Sequence, residues 1–439
     1  MRPQASFALA LVVLLAAAGL AGSRSYTEGY AGCSITDGCI SFDLSSYAIG
    51  DTIDLRPGGD YPYDATIRPG GREVWICGAA GDSVMVIDRA TNAITHRIPV
   101  GEYPNSIVFT DDGDRALVSA RDGDLVTLIS TSSYVPVGTL DVTAGSGGTS
   151  DGPGNMALDR VTGLIYAVDW YGNTLFEIAS DGSSVLNHVD VGSSLWQLVV
   201  DPLGRYVYLT DRGADVVRVI TLPGLVEDRQ VPVGNDPWGI DVTLDGSRLV
   251  VACEDDHNVH VIDTSDWSAV VVALGADADP RDVDILDAAG YAFVAGGETA
   301  GLDPVYVITL GTNQLKDTIG IGGNVNVVAV QEQTTSALVG VPEDGTPPAL
   351  TLECFPNPFN PEATVRYHLP APAPAELAVY DAAGRLVARL EPRLRGPGLL
   401  YEAHWDGTDG NGRSVAAGVY FVDLKTETGS ATAKVALVK

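Results

Sequence analysis

Six stretches of the chain repeat one pattern at a spacing of 41 to 47 residues, and no other feature constrains the fold as much. The pattern is plainest at Asp236-Pro237-Trp238-Gly239-Ile240-Asp241-Val242, then Asp245-Gly246, then Leu249-Val250-Val251-Ala252, then Asn258-Val259-His260-Val261-Ile262-Asp263, closing at Leu274-Gly275. Each unit reads as a strand, a tight Asp-Gly type turn, a second strand, a loop and two more strands. β-Branched and aromatic residues fill the strands, and Gly, Asp and Pro punctuate them, which favours strand over helix. Four short strands in about 42 residues is the period of a β-propeller blade.

The units superpose along the chain. They open at Pro62, Pro104, Pro153, Leu195, Pro237 and Pro280, and their first turns carry Gly70, Gly113, Gly163, Gly204, Gly246 and Gly290. Two fragments remain. Val325–Val330 and Ala337–Val341 read as inner strands; Cys39–Leu44 and Asp51–Leu55 read as outer strands. Together they predict a seventh blade, shared by 39–55 and 325–341 with two strands from each end. Such closure removes the free edges of an open array. The expectation is an all-β chain: a seven-bladed β-propeller over 31–341, a linker over 342–350 and a small C-terminal β-sandwich over 351–439.

The ends carry other signals. Arg2, the apolar run Phe7–Leu20 and small residues before position 22 predict a signal peptide over 1–21. The run is shorter than the ~20 residues of a membrane span, and no transmembrane helix is expected in the mature chain. Residues 1–348 hold 47 acidic and 17 basic residues, a net of −30, and residues 349–439 hold 10 and 9, a net of −1. The step marks a domain boundary. An acidic propeller repels phosphates, which argues against nucleic acid.

In an exported chain disulfides can form, and Cys33 and Cys39, close in sequence around a turn-rich loop, are the candidate pair. Cys77 and Cys253 fall on the second strands of blades 1 and 5 and read as buried small hydrophobes. No cysteine or histidine spacing suggests a metal, and no cofactor motif occurs. His257 and His260 are expected on opposite faces of a strand.

The repeat resembles the YVTN family of propeller repeats, through its Pro-led strand and Asp-Gly turn, Val250-Val251-Ala252-Cys253, and Asn258 to Thr264. That resemblance implies the fold and leaves binding proteins and lactonase or lyase relatives as functional options. In the tail, Phe355-Pro356-Asn357-Pro358-Phe359-Asn360-Pro361, Asp381-Ala382-Ala383-Gly384-Arg385-Leu386-Val387, Trp405-Asp406-Gly407 and Gly418-Val419-Tyr420-Phe421 resemble the C-terminal sorting domain of type IX secretion cargo and the related FlgD-like immunoglobulin-type domain. This implies delivery through outer-membrane secretion machinery, to the cell surface or outside, with the periplasm as the alternative.

The residues after each opening position should ring the channel mouth: Tyr63, Asn105, Asn155, Trp196, Trp238, Arg281 and Asn326. The loops between second and third strands add Trp170, Tyr171 and Arg212, with Arg121, Asp122, Asp211, Glu254 and Asp255. Aromatic side chains and arginine among acids suit a glycan, peptide or protein ligand. No catalytic set stands out. The expected function is a binding or scaffold module, with a lactonase- or lyase-type enzyme as the alternative; an enzyme would show perturbed carboxylates and histidine gathered around one pocket, and the residues expected at the channel mouth include no histidine, which favours binding.

Overall fold

The computed structural model describes residues 28–57, 61–110, 113–123, 125–142, 152–170, 172–297, 303–330, 351–355, 363–368, 375–381, 384–390, 393–394, 400–410, 413–426 and 430–437. The expected signal peptide, the whole of the linker and the strand expected at Ala337–Val341 lie outside these residues. Among them the chain is strands and turns, with three single-turn 3-10 segments.

Seven four-stranded antiparallel sheets follow one another, and two more form the tail. Blades 1 to 6 begin on the innermost strands Pro62–Ile67, Pro104–Phe109, Pro153–Leu158, Leu195–Val200, Pro237–Val242 and Pro280–Leu286. All six first-turn glycines have φ between +65° and +96°, a region that glycine enters without steric cost.

Blade 7 closes the ring with a division that differs from the expected two and two. Its innermost strand is Val325–Ala329, and the N-terminal segment supplies the other three, Glu28–Cys33, Gly38–Asp43 and Ile49–Asp54. The strand Glu28–Cys33 escapes a sequence reading because Glu-Gly-Tyr-Ala-Gly-Cys has no β-branched residue and two glycines. It forms because it pairs on both sides: Gly32 opposes Cys39 on one and Val327 on the other.

The propeller core is divided into seven apolar clusters, one between each pair of neighbouring blades. Each second strand therefore buries both faces. Val74 and Ile76 pack toward blade 7, while Trp75 and Cys77 pack toward blade 2. This is why these strands read as continuous apolar runs without alternation.

The same alternation rules out the expected Cys33–Cys39 disulfide. Cys33 opposes Gly38 and Cys39 opposes Gly32, so the two side chains leave the sheet on opposite faces. Cys33 packs between blades 6 and 7, and Cys39 between blades 7 and 1. Both are free, buried thiols, as are Cys77 and Cys253. Burial pushes the Cys33 and Cys253 thiols up to about 12, as expected of inert packing groups.

In the tail, two sheets enclose a core built on Val365, Val379, Trp405, Tyr420, Val422 and Val435. The Trp405 and Tyr420 rings meet edge to face at 4.9 Å. The Tyr420 hydroxyl donates to the Ala416 carbonyl at 2.6 Å, which pins the turn entering its strand.

Candidate functional site

The innermost strands share one register, and each contains a bulge after its first residue. Counting from that residue, the third position is polar in five blades: Asp64, Ser106, Asn155, Gln197 and Asp282. Each side-chain oxygen accepts a backbone N–H from the next blade. Asp64 takes Ile107 at 2.6 Å, Ser106 takes Met156 at 3.1 Å, and Asn155 takes Leu198 at 3.0 Å. Gln197 takes Ile240 at 3.0 Å, and Asp282 takes Val328 at 3.0 Å. A second tier lies two residues further on: Asp241 accepts from Ile285 at 2.8 Å and Asp284 from Val330 at 2.7 Å. Six of the seven seams are thus tied by a side chain reaching one blade onward. At the seventh, the Asn326 amide donates to the Pro62 carbonyl at 3.4 Å.

Above this relay, a cavity of about 80 Å³ opens at the channel mouth. The expected ring residues Tyr63, Asn105, Trp196, Trp238, Arg281 and Asn326 all line it, as does Trp170. So does Asn155, one layer deeper than expected. In blade 3 the mouth position belongs to Gly154, where a Cβ would collide with the Trp170 indole nitrogen. Trp170 fills that space and donates to the Trp196 carbonyl at 2.6 Å. The cavity is lined further by Tyr61, Asp64, Gln197, Asp282 and Val327, which the sequence reading did not single out. All seven blades contribute. Tyr171 lies outside the described residues.

The rim is a chain of rings and cations. Trp170 and Trp196 stack in parallel at 4.2 Å, and Trp196 meets Trp238 edge-on at 4.5 Å. Tyr63 joins this run to Tyr61 and Tyr103, with centroids 5.6 Å from Trp170 and about 6 Å from the two tyrosines. Arg212 does not line the cavity. Its guanidinium sits over Trp196 at 4.5 Å and Trp238 at 4.2 Å, held by Asp236 at 2.5 and 2.7 Å. Arg281 lies over Trp238 at 5.5 Å and is bound by Glu254, Asp279 and Asn326, each at 3.1 Å. Asp211 is buried and serves Ser193 and Arg218, so it is a packing group rather than a rim group. Asp122 pairs with Arg121, which caps Tyr103.

The site's carboxyls fall into two kinds. Asp64 and Asp282 face the channel but are surrounded by protein, and burial pushes them up to about 6 and about 7. Burial, with the Asp279 and Asp236 charges beside it, pushes Glu254 up to about 7 against the pull of Arg281. Burial acts on Asp236 in the same direction, but the Arg212 and Trp238 hydrogen bonds and the Arg212 charge outweigh it and hold this carboxyl low. No cluster of three or more metal-ligating groups occurs among the described residues. His257 sits in the turn before the strand Asn258–Asp263 and contacts the Ala278 carbonyl, so it does not share a face with His260.

The architecture is that of a seven-bladed β-propeller followed by an immunoglobulin-like sandwich. Residues 360–430 match the FlgD Ig-like domain family. No curated protein matches the chain. Among solved structures it is similar to the hydrazine synthase of Kuenenia stuttgartiensis, with TM-score 0.54 and 15% identity over 61% of this chain and 89% of that one. A functionally unknown protein from Desulfotomaculum acetoxidans gives TM-score 0.58 and 14% identity over 70% and 99%. The dihydro-heme d1 dehydrogenase NirN, solved in complex with DHE, gives 0.52 and 15% over 88% and 76%. At these identities the likeness is one of fold. Among the described residues, no helix is long and apolar enough to cross a membrane.

Proposed function

We propose that the chain is an exported binding or scaffold module, secreted or held at the outer cell surface, whose propeller takes a ligand at the channel mouth. The observation that carries this reading is the cavity: all seven blades line it, and ring contacts and hydrogen bonds within the protein hold side chains of its lining in place. The periplasm is the alternative location. The tail, whose residues 360–430 match the FlgD Ig-like domain, acts as the delivery signal on the strength of its sorting-domain motifs, and the repeat is of YVTN type on the strength of its Pro-led strand and Asp-Gly turn. In a host with type IX secretion, the full-length chain should appear outside the cell, and a chain ending before residue 349 should stay in the periplasm. Equal export of both removes the sorting role.

One observation favours a second reading, an enzyme of lactonase or lyase type. Asp64 and Asp282 at the cavity, and Glu254 beside Arg281, titrate where general acids and bases operate. The binding reading expects no turnover across a panel of lactones. Hydrolysis that disappears in Asp282→Asn replaces it with the enzymatic one.

A further inference from the structure

We infer that the cavity receives a primary ammonium group with a hydrogen-bond acceptor on the neighbouring carbon, with Asp64 and Asp282 as its counter-charges and Asn105 as donor to the acceptor. The inference rests on the mouth being a ligand site and specifies what enters it.

Three features of the cavity converge on that chemistry. Asp64 and Asp282 both line it, the Asp64 charge reaches Asp282, and among the described residues neither is paired with a cation. The arginine in the same lining, Arg281, is already engaged by Glu254, Asp279 and Asn326. Each aspartate commits one oxygen to an N–H of the next blade; Asp64 also accepts from the Ser106 hydroxyl and the Ala65 N–H, and Asp282 from the Val283 N–H. The second oxygen, which in Asp282 also takes the Gln197 amide at 3.3 Å, keeps a lone pair for an incoming donor. Asn105 supplies the second requirement. It is only 2% exposed and lines the cavity; its amide oxygen accepts from the Ser119 hydroxyl at 2.5 Å, and its amide nitrogen has no hydrogen-bond partner among the described residues. A buried donor of this kind is costly until an acceptor meets it.

The rim argues against a ligand held by ring stacking. Trp196 is stacked by Trp170 and capped by Arg212, and Trp238 carries Arg212 and Arg281 over its ring. The polar floor is what remains for recognition. A volume of about 80 Å³ suits one small head group. A net charge of −31 draws cations toward the protein. The amino alcohols, amino sugars among them, and peptide N-termini share the required chemistry.

Binding an ammonium requires the charged form of carboxyls that burial pushes up to about 6 and 7, so affinity should fall as pH drops from 8 to 5. The groups around the pair are Asp241 and Asp284 one tier deeper, the Cys77 thiol opposite Asp64, the Arg281, Glu254 and Asp279 trio, and the Tyr61 and Tyr63 hydroxyls.

The test uses the full chain, with calorimetry and intrinsic tryptophan fluorescence. The probes are ethanolamine, glucosamine and glycinamide, against methylamine, ethylene glycol and glycolate. The three amine–acceptor probes should bind more tightly than the controls, and the tightest separates amino alcohol from peptide terminus. Asp282→Asn and Asp64→Asn keep an acceptor for Val328 and Ile107 and remove a buried charge, so the melting temperature at pH 8 should hold or rise while affinity falls about tenfold or more. Asn105→Ala should bring ethanolamine down toward methylamine. Glycolate or ethylene glycol binding as well as ethanolamine, through a signal lost in Trp238→Ala, overturns the ammonium and leaves the mouth as the site. A ligand whose affinity ignores Trp238→Ala and both aspartate variants overturns the mouth as well.

Discussion

Positions two and three of the innermost strands are neighbours in sequence and differ in what they hold together. At position two, Trp238 contacts Trp196 and Arg281, Arg212 covers both tryptophans, and Tyr63 joins the run through Trp170. At position three, Asp64, Ser106, Asn155, Gln197 and Asp282 contact the backbone of the next blade. One layer shapes an opening; the layer beneath ties the ring shut. Position two can therefore vary without opening the ring, whereas position three demands an acceptor of the right reach even where, as at Asp64 and Asp282, it also faces the cavity. Where that layer lacks one, a neighbour compensates: beside Gly239, Gln197 reaches past blade 5 to Asp282 at 3.3 Å, and Asp241 makes the seam bond from the tier below.

The largest expected effect separates the two layers with a single methyl group. At Gly239 a Cβ would lie 2.6 Å from the Arg281 carbonyl oxygen and 2.8 Å from the Asp282 Cα. Those are backbone atoms of the next blade and move only if the strand moves. Gly239→Ala should cost about 3 kcal/mol by denaturant unfolding. At Gly154 the Cβ meets the Trp170 side chain, which can rotate away and give up its stack on Trp196. Gly154→Ala should cost about 1–2 kcal/mol and change the near-ultraviolet tryptophan signal. A reversed order of cost breaks the distinction between the layers.

The next contrast is between stability and binding. Asn155→Ala strips the acceptor from the Leu198 N–H and should lower stability by about 1–3 kcal/mol, the cost of an orphaned buried donor. Trp238→Ala removes a half-buried ring at a loop-proximal position. It should leave the fold intact and weaken a mouth ligand by about 1–3 kcal/mol. If Trp238→Ala unfolds the chain while Asn155→Ala only weakens binding, the roles assigned to the layers are exchanged.

Sequence reading reaches the mouth more easily than the relay. The opening prolines align the blades, so the large residue that follows each is visible without a structure. It misplaces Asn155 because Pro153 is followed by Gly154, which has no side chain to mark the mouth position. The relay leaves a fainter trace: one polar residue in an otherwise apolar strand, as in Trp196-Gln197-Leu198-Val199-Val200. Its partner lies 43 residues on, and no local pattern names it. Pairing Cys33 with Cys39 fails for a related reason. Nearness in sequence says nothing of face until the register of Gly32 against Cys39 is known.

The smallest expected effect asks whether the two layers answer pH in opposite directions. Asp284, in the lower tier, accepts from Val330, and burial, reinforced by the Asp241 and Asp282 charges, pushes its carboxyl well up. A folded value above the unfolded one means that the folded chain holds the proton more tightly. The stability this confers is present below the unfolded carboxylate range, near pH 4, and is lost as pH rises through the raised folded value. An asparagine in this place is neutral at every pH and keeps an oxygen for the Val330 N–H. Asp284→Asn should thus change little near pH 4 and raise the melting temperature by a few degrees at pH 8. Asp236, in the rim, is held low by Arg212 and Trp238, so its contribution is present above the carboxylate range and lost as pH falls. Asp236→Asn should therefore lower the melting temperature at pH 8, with the loss shrinking toward pH 3. Melting curves of both variants across that range are the check. Parallel responses would mean that the charge of the relay carboxyl is compensated in the channel as fully as that of the rim carboxyl is by its arginine.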